Sequence, residues 1–177
     1  MAKNRLVRGT SPELQRLRAH APQLLISKRY DLAESRIRQI LAIEPRDAPA
    51  NRQLSNCLFC LRRIDEALEQ ARVAVALDPV SHKALTLLGA IYSEKGQHDE
   101  AMVAFEQALQ IKADYAIAMF GLANSLALRS KWEPALEWTE KGLAIQPDHI
   151  GMWRIRGQTL AALKRKEEAL AAMAQFL

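Results

Sequence analysis

In the run Leu85-Thr86-Leu87-Leu88-Gly89-Ala90-Ile91-Tyr92, residues 85, 88, 89 and 92 recur at spacings of three and four, so they share one face of a helix. Gly96 follows where a turn is needed. Ala101, Phe105 and Ala108 then line a second helix that returns along the first. Working outward in steps of 34 residues, the same marks reappear. Alanine stands at Ala33, Ala67, Ala101, Ala135 and Ala169, and an acid stands two residues before each of them, at Asp31, Asp65, Asp99, Glu133 and Glu167. Prolines fall on the same beat at Pro45, Pro79 and Pro147, with Ala113 in the remaining slot.

Each mark has a physical role. An acid at the start of a helix can accept hydrogen bonds from the free amides there and favours the positive end of the dipole. A methyl side chain two residues on lets the paired helix approach. Proline after the last turn ends a helix, since it bars helical geometry at the residue before it and has no amide to donate. Pro134 is read as lying in a first turn, where a missing amide costs nothing. The expected units are 14–47, 48–81, 82–115, 116–149 and a partial 150–177, preceded by a basic tail over 1–13 that carries Lys3, Arg5 and Arg8.

The motif Leu85-x-x-Leu88-Gly89-x-x-Tyr92 with Ala101-x-x-x-Phe105-x-x-Ala108 closely resembles the tetratricopeptide repeat. Looser copies stand at Leu122-Ala123-x-x-Leu126 and Trp153-x-x-x-Gly157. The resemblance covers about residues 14–177 and implies an all-α, right-handed superhelical solenoid of antiparallel helix pairs. Unit one departs at His20 and at Pro22, which should kink its first helix or delay its start. Unit two departs at Asn51 and Ser55, where an aromatic and a glycine are commoner. At the other end, Leu163, Leu170 and Met173 are expected to be open, as in a fragment of a longer protein or a self-associating one.

Composition agrees with helices. Of 177 residues 49% are hydrophobic and 25% charged, enough apolar material for a core, and seven glycines with seven prolines are few for an all-β chain. The net charge of +5 is spread out, Lys164-Arg165-Lys166 being the longest basic tract, so no nucleic-acid footprint is expected. No run of about 18 apolar residues offers a membrane span, and Met-Ala-Lys-Asn-Arg at the start lacks the apolar run of a secretory signal. The expected location is the cytoplasm, without membrane attachment.

Catalytic chemistry finds little to work with. Cys57-Leu58-Phe59-Cys60 has redox or zinc spacing, yet it lies deep in a helix and the chain has no other cysteine, so buried packing is the reading. His20, His82, His98 and His149 are scattered at turns. No nucleophile turn or glycine-rich phosphate loop accompanies them. Tyr92, Phe105, Trp132 and Trp153 sit at repeat positions and read as core. No enzyme activity, metal or cofactor is expected.

What the resemblance implies for binding is a concave groove lined by the first helix of each unit. Its second, fifth, sixth, ninth and twelfth positions face a partner. On this sequence that register yields Arg18, Arg52, Asn56, Phe59, Lys83, Thr86, Phe120, Asn124, Arg154 and Gln158. Arg52 with Asn56 and Arg154 with Gln158 are one turn apart, and each pair presents a cation beside an amide. An amide can hold an extended backbone and arginine can grip a carboxylate, so the expected ligand is an extended, somewhat acidic peptide or a partner helix. Arg52 and Asn56 are similar to the opening pair with which some family members clamp acidic chaperone tails. The likeness ends there, because Leu87, Ile117 and Gly121 stand where the clamp continues. The function expected is a protein interaction scaffold. The alternatives are the recruiting front of a longer enzyme, such as a bacterial sulfotransferase or glycosyltransferase, and a self-associating repeat protein.

Overall fold

A left-handed backbone residue recurs every 34 positions: Lys28, Arg62, Gly96, Ser130 and Lys164 have φ of 57°, 63°, 74°, 57° and 62°. After each, the next amide reaches back to a carbonyl five residues earlier: Arg29 to Leu24, Arg63 to Leu58, Gln97 to Tyr92, Lys131 to Leu126 and Arg165 to Leu160, all at 2.9 Å. That bond, closed through a left-handed residue, terminates a helix and satisfies a carbonyl the helix leaves free. The residue donating it is also the cap of the next helix, so the chain reverses with almost no loop.

The computed structural model describes residues 11–175, and among them the chain forms ten helices and no strand. They are α1 (Pro12–Ile26), α2 (Tyr30–Ile43), α3 (Ala48–Cys60), α4 (Ile64–Leu77), α5 (His82–Glu94), α6 (His98–Ile111), α7 (Ala116–Leu128), α8 (Trp132–Ile145), α9 (Ile150–Ala162) and α10 (Lys166–Met173). The result is an all-α solenoid of antiparallel helix pairs. Ser11 caps α1 by accepting from the Leu14 amide, so helix begins ahead of Leu14; Lys3, Arg5 and Arg8 lie outside the described residues. Pro22 does not delay α1, which starts at Pro12 and runs through it to Ile26.

The acids two residues before each alanine do not cap. None of α2, α4, α6, α8 and α10 has a side-chain cap, and their capping positions hold Arg29, Arg63, Gln97, Lys131 and Arg165. Two of the acids instead reach the following unit: Asp65 pairs with Lys95, and Asp99 with Arg129 at 3.0 Å. Standing within the first turn, all five acids still favour the dipole there. The other connections behave as expected of proline, with Pro45, Pro79 and Pro147 two residues beyond a helix end. Ala113 occupies the fourth slot, and the residue before it adopts the same extended geometry unaided: Lys112 has φ −134° and ψ 93°, Glu44 φ −129° and ψ 83°.

Close approach within each pair rests on the eighth position of the unit, where Ala21, Ser55, Gly89, Ala123 and Gly157 are all buried. Ser55 belongs to this row because its hydroxyl donates to the Ala67 carbonyl of α4 at 2.8 Å. Asn51 replaces an aromatic by similar means: its amide donates to the Pro45 carbonyl at 3.3 Å and to the Asp47 carbonyl at 2.8 Å. Trp153, three units later at the same position, sends its indole N–H to the Pro147 carbonyl at 2.6 Å. A polar and an aromatic side chain thus satisfy the same proline carbonyl.

One apolar layer runs the length of the stack. Tyr92 and Val75 pack against both of its larger clusters, and Trp153 joins the second to a small last one of Leu136, Leu160, Ala169 and Ala172. Of the three side chains expected to be open on the last unit, Leu170 is 68% exposed, whereas Leu163 and Met173 are half-buried. Among the described residues the first helices α3, α5, α7 and α9 pack against one another in succession, and no two second helices do so to the same extent. In a curved stack the layer whose members lie closer together is the inner one, so the first helices form the concave wall.

Candidate binding groove

The fifth position of each unit forms a row across that wall: Arg18, Arg52, Thr86, Phe120 and Arg154. Arg18 is engaged within the chain, its guanidinium 2.5 Å from both Glu44 and Asp47. The hydrogen bond to Asp47 is the main cause that raises its pKa further. Arg52 and Lys83 share a shallow depression between α3 and α5, and no carboxylate among the described residues lies within ion-pair distance of either. Arg154 donates to Gln158 at 3.3 Å, which orients the pair as the spacing predicts. Asn56 and Phe59 are half-buried on α3, with Phe59 packed on the core.

Thr86, Phe120 and Asn124 are brought together. They line a cleft of about 430 Å³ between α5 and α7, together with Ala90, Ser93, Glu94, Phe105, Ile117, Gly121 and Leu128. The last seven are absent from the ten candidates, although the second and sixth positions of the same register are Ile117 and Gly121. A search for cations and amides passes over them. Ile117 is 54% exposed and Leu128 57%, flanking half-buried Phe120. The Phe105 ring is the floor. A Cβ at Gly121 would lie 2.3 Å from its Cζ, so the ring can pack beneath the cleft only because position 121 is glycine. Phe120 is held from behind, where a Cβ at Gly151 would lie 2.8 Å from its Cε2 and the His149 ring sits 4.9 Å away. Thr86 is buried and donates to the His82 carbonyl at 2.8 Å, so it shapes the wall more than it offers a free hydroxyl.

The end of the groove towards α3 is electropositive. His82, beside Tyr115 at a ring separation of 4.8 Å, is depressed below its ordinary pKa by burial first and then by Lys112, Lys83 and Arg52, with Asp114 opposing. The cysteine pair is divided between two environments. Cys57 is buried and its thiol is pushed up to about 12 by that burial and the neighbouring charges. Cys60, expected to be packed inside, is exposed at the end of α3, near Tyr30, whose pKa it raises. Trp132 is half-buried. No helix among the described residues is long and apolar enough to cross a membrane.

The geometry has clear parallels. The family described as tetratricopeptide repeat matches residues 19–82 and 61–116, and the one described as anaphase-promoting complex, cyclosome, subunit 3 matches residues 94–176. The chain is 24% identical over 139 residues, 77% of its length, to small glutamine-rich tetratricopeptide repeat-containing protein 2 of Saccharomyces cerevisiae. To protein O-mannosyl-transferase TMTC1 of Homo sapiens it is 25% identical over 153 residues, 80% of its length. It spans 37% of the first relative and 17% of the second. A crystal structure of MamA superposes with a TM-score of 0.77 at 20% identity, covering 88% of this chain and 91% of that one. MamA 41-end from Desulfovibrio magneticus RS-1 superposes with a TM-score of 0.82 at 16% identity, covering 95% of each. At those identities the likeness is one of fold.

Proposed function

The chain belongs to the tetratricopeptide repeat family, and from that premise we propose that it is an interaction scaffold whose concave wall holds an extended segment of a protein partner. The observation that carries this reading is the cleft between α5 and α7: an aromatic base packed against a glycine, with exposed Ile117 and Leu128 at its sides. Leaving these side chains in water forgoes burial worth roughly 1.5–3 kcal/mol each, which a bound apolar group would recover. Arg52, Asn56, Arg154 and Gln158 extend the row on either side with groups able to hold a backbone or a carboxylate.

The test is partner recovery. Affinity capture on the intact chain is compared with capture on Arg52→Ala, Asn56→Ala and Arg154→Ala combined, and separately on Ile117→Ser with Leu128→Ser. A partner seated in the groove is expected to fall about tenfold in recovery with either set, while helical circular dichroism stays unchanged. Recovery equal to the parent chain with both sets would place the binding face elsewhere.

A second reading, the recruiting module of a longer enzyme, is favoured by one observation. The match to protein O-mannosyl-transferase TMTC1 takes in 80% of this chain but only 17% of that protein. An in-frame catalytic domain in the gene would establish it, and a reading frame that closes without one would remove it.

A further inference from the structure

We propose that the groove reads a two-part motif: an apolar side chain seated in the cleft between α5 and α7, with a carboxylate about three residues away on either side. This rests on the concave wall being the binding face and goes further by fixing the ligand's chemistry and spacing. The apolar half follows from the cleft, whose base is the Phe105 ring packed against Gly121 and whose sides are Phe120, Ile117 and Leu128. A branched or aromatic side chain fits such a space, since the one carboxylate in its lining, Glu94, is already paired with Arg62 at 2.6 Å.

The acidic half follows from what borders the cleft. On one side Lys83 lies one helical turn before Thr86 on α5, exposed, and Arg52 lies on α3 across a depression that Asp78 also lines, with no carboxylate among the described residues within ion-pair distance of either cation. On the other side Arg154, exposed on α9, is tied only to the neutral Gln158. Arg18, also on the fifth position of its unit, and Arg62, Lys95 and Arg129 are by contrast matched by acids. Burial is the larger cause of the depressed pKa of His82, and Lys112, Lys83 and Arg52 add to it.

The spacing is geometric. Adjacent packed helices lie roughly 8–10 Å apart and an extended chain advances about 3.3–3.6 Å per residue, so one helix to the next is about three residues of ligand. An apolar residue in the cleft between α5 and α7 therefore sets one acid over the depression that Arg52 and Lys83 share between α3 and α5, and another between α7 and α9, beside Arg154.

The experiment is selection of peptides from a random twelve-residue display library on the intact chain, followed by fluorescence polarisation with the enriched peptides. The expected result is enrichment of Leu, Ile or Phe with Asp or Glu about three positions away. Binding is expected to weaken about tenfold for Ile117→Ser with Leu128→Ser. Lys83→Glu and Arg154→Glu should each weaken it several-fold, and the effect of these two should shrink in high salt. All four positions are exposed, so unchanged circular dichroism is the control for folding. Enriched peptides that lose binding with Ile117→Ser and Leu128→Ser but carry no acid, or a basic residue in its place, would overturn the two-part motif and leave the groove standing. Peptides indifferent to every one of these variants, or no enrichment at all, would overturn both.

Discussion

At the scale of single residues the chain shows how one backbone need is met by different side chains. Five turns require a left-handed residue, and only Gly96 supplies it without cost, since side-chain-bearing residues are strained there by roughly 1–2 kcal/mol. A Cβ at Gly96 would touch nothing within 4 Å, so Gly96→Ala should lower stability through the backbone alone, by about 1 kcal/mol. Ser130→Gly should do the reverse, and somewhat less, because glycine also frees the unfolded chain. Thermal unfolding of the two variants, expected to move by ~2–4 °C in opposite directions, checks both. His82 offers a second readout. Its folded pKa is below the ordinary 6.5, so the unfolded chain takes up a proton first as pH falls. Stability from this residue is full above 6.5 and is lost as the pH drops through the depressed value. Lys83→Gln removes one of the positive neighbours of His82 and should raise its pKa, though not fully, since burial is the larger cause; histidine resonances followed against pH decide it.

At the scale of elements the helices were legible and their fastenings were not. A period of 34 places ten helices because apolar spacing and turn residues are local signals, carried within a few positions of the backbone they govern. The acids at Asp65 and Asp99 mislead for the opposite reason, as their partners Lys95 and Arg129 lie thirty residues on and become neighbours only once units stack. The cleft was hidden in the same way. Gly121 means nothing until the Phe105 ring of the preceding helix is found against it, and Ile117 and Leu128 look like core residues until the concave side is known. This junction also makes a test of packing between α6 and α7. Gly121→Ala puts a methyl group into the ring of Phe105, itself 2% exposed, and overpacking of this kind costs typically 1–3 kcal/mol. Phe105→Ala alone leaves a cavity worth about 3–5 kcal/mol. The double variant should be more stable than the sum of the two predicts, because the methyl then enters space the ring has left. Strict additivity in denaturant titrations would show that the ring and the glycine do not constrain each other.

For the molecule as a whole, each helix pair leans on its neighbours alone, so stability is a chain of local interfaces and the ends should open first. The family and its repeat period were written in the sequence, while the unequal strength of the interfaces depends on which side chains meet across them. Two large clusters share Tyr92 and Val75, binding α3 to α7 into one body, and Phe105 locks the middle by filling the space beside both Gly89 and Gly121. The last interface is small by comparison. Its cluster has four buried members, and α10 is eight residues long with Ala169 and Ala172 as its buried residues, so little apolar surface opposes its release. Inter-unit ion pairs do not even out the difference, because those at Asp65, Asp99 and Glu94 are solvent-facing and such pairs contribute about 0–1 kcal/mol each. Native-state hydrogen exchange should therefore be fastest in α10, slower in α9 and slowest across α5, α6 and α7. That gradient places the proposed cleft on the most rigid part of the solenoid, where its walls are ordered before a ligand arrives and little ordering entropy is charged to binding. Equal protection along all ten helices would mean that the array unfolds as one unit, and the cleft would then hold no mechanical advantage over the rest of the groove.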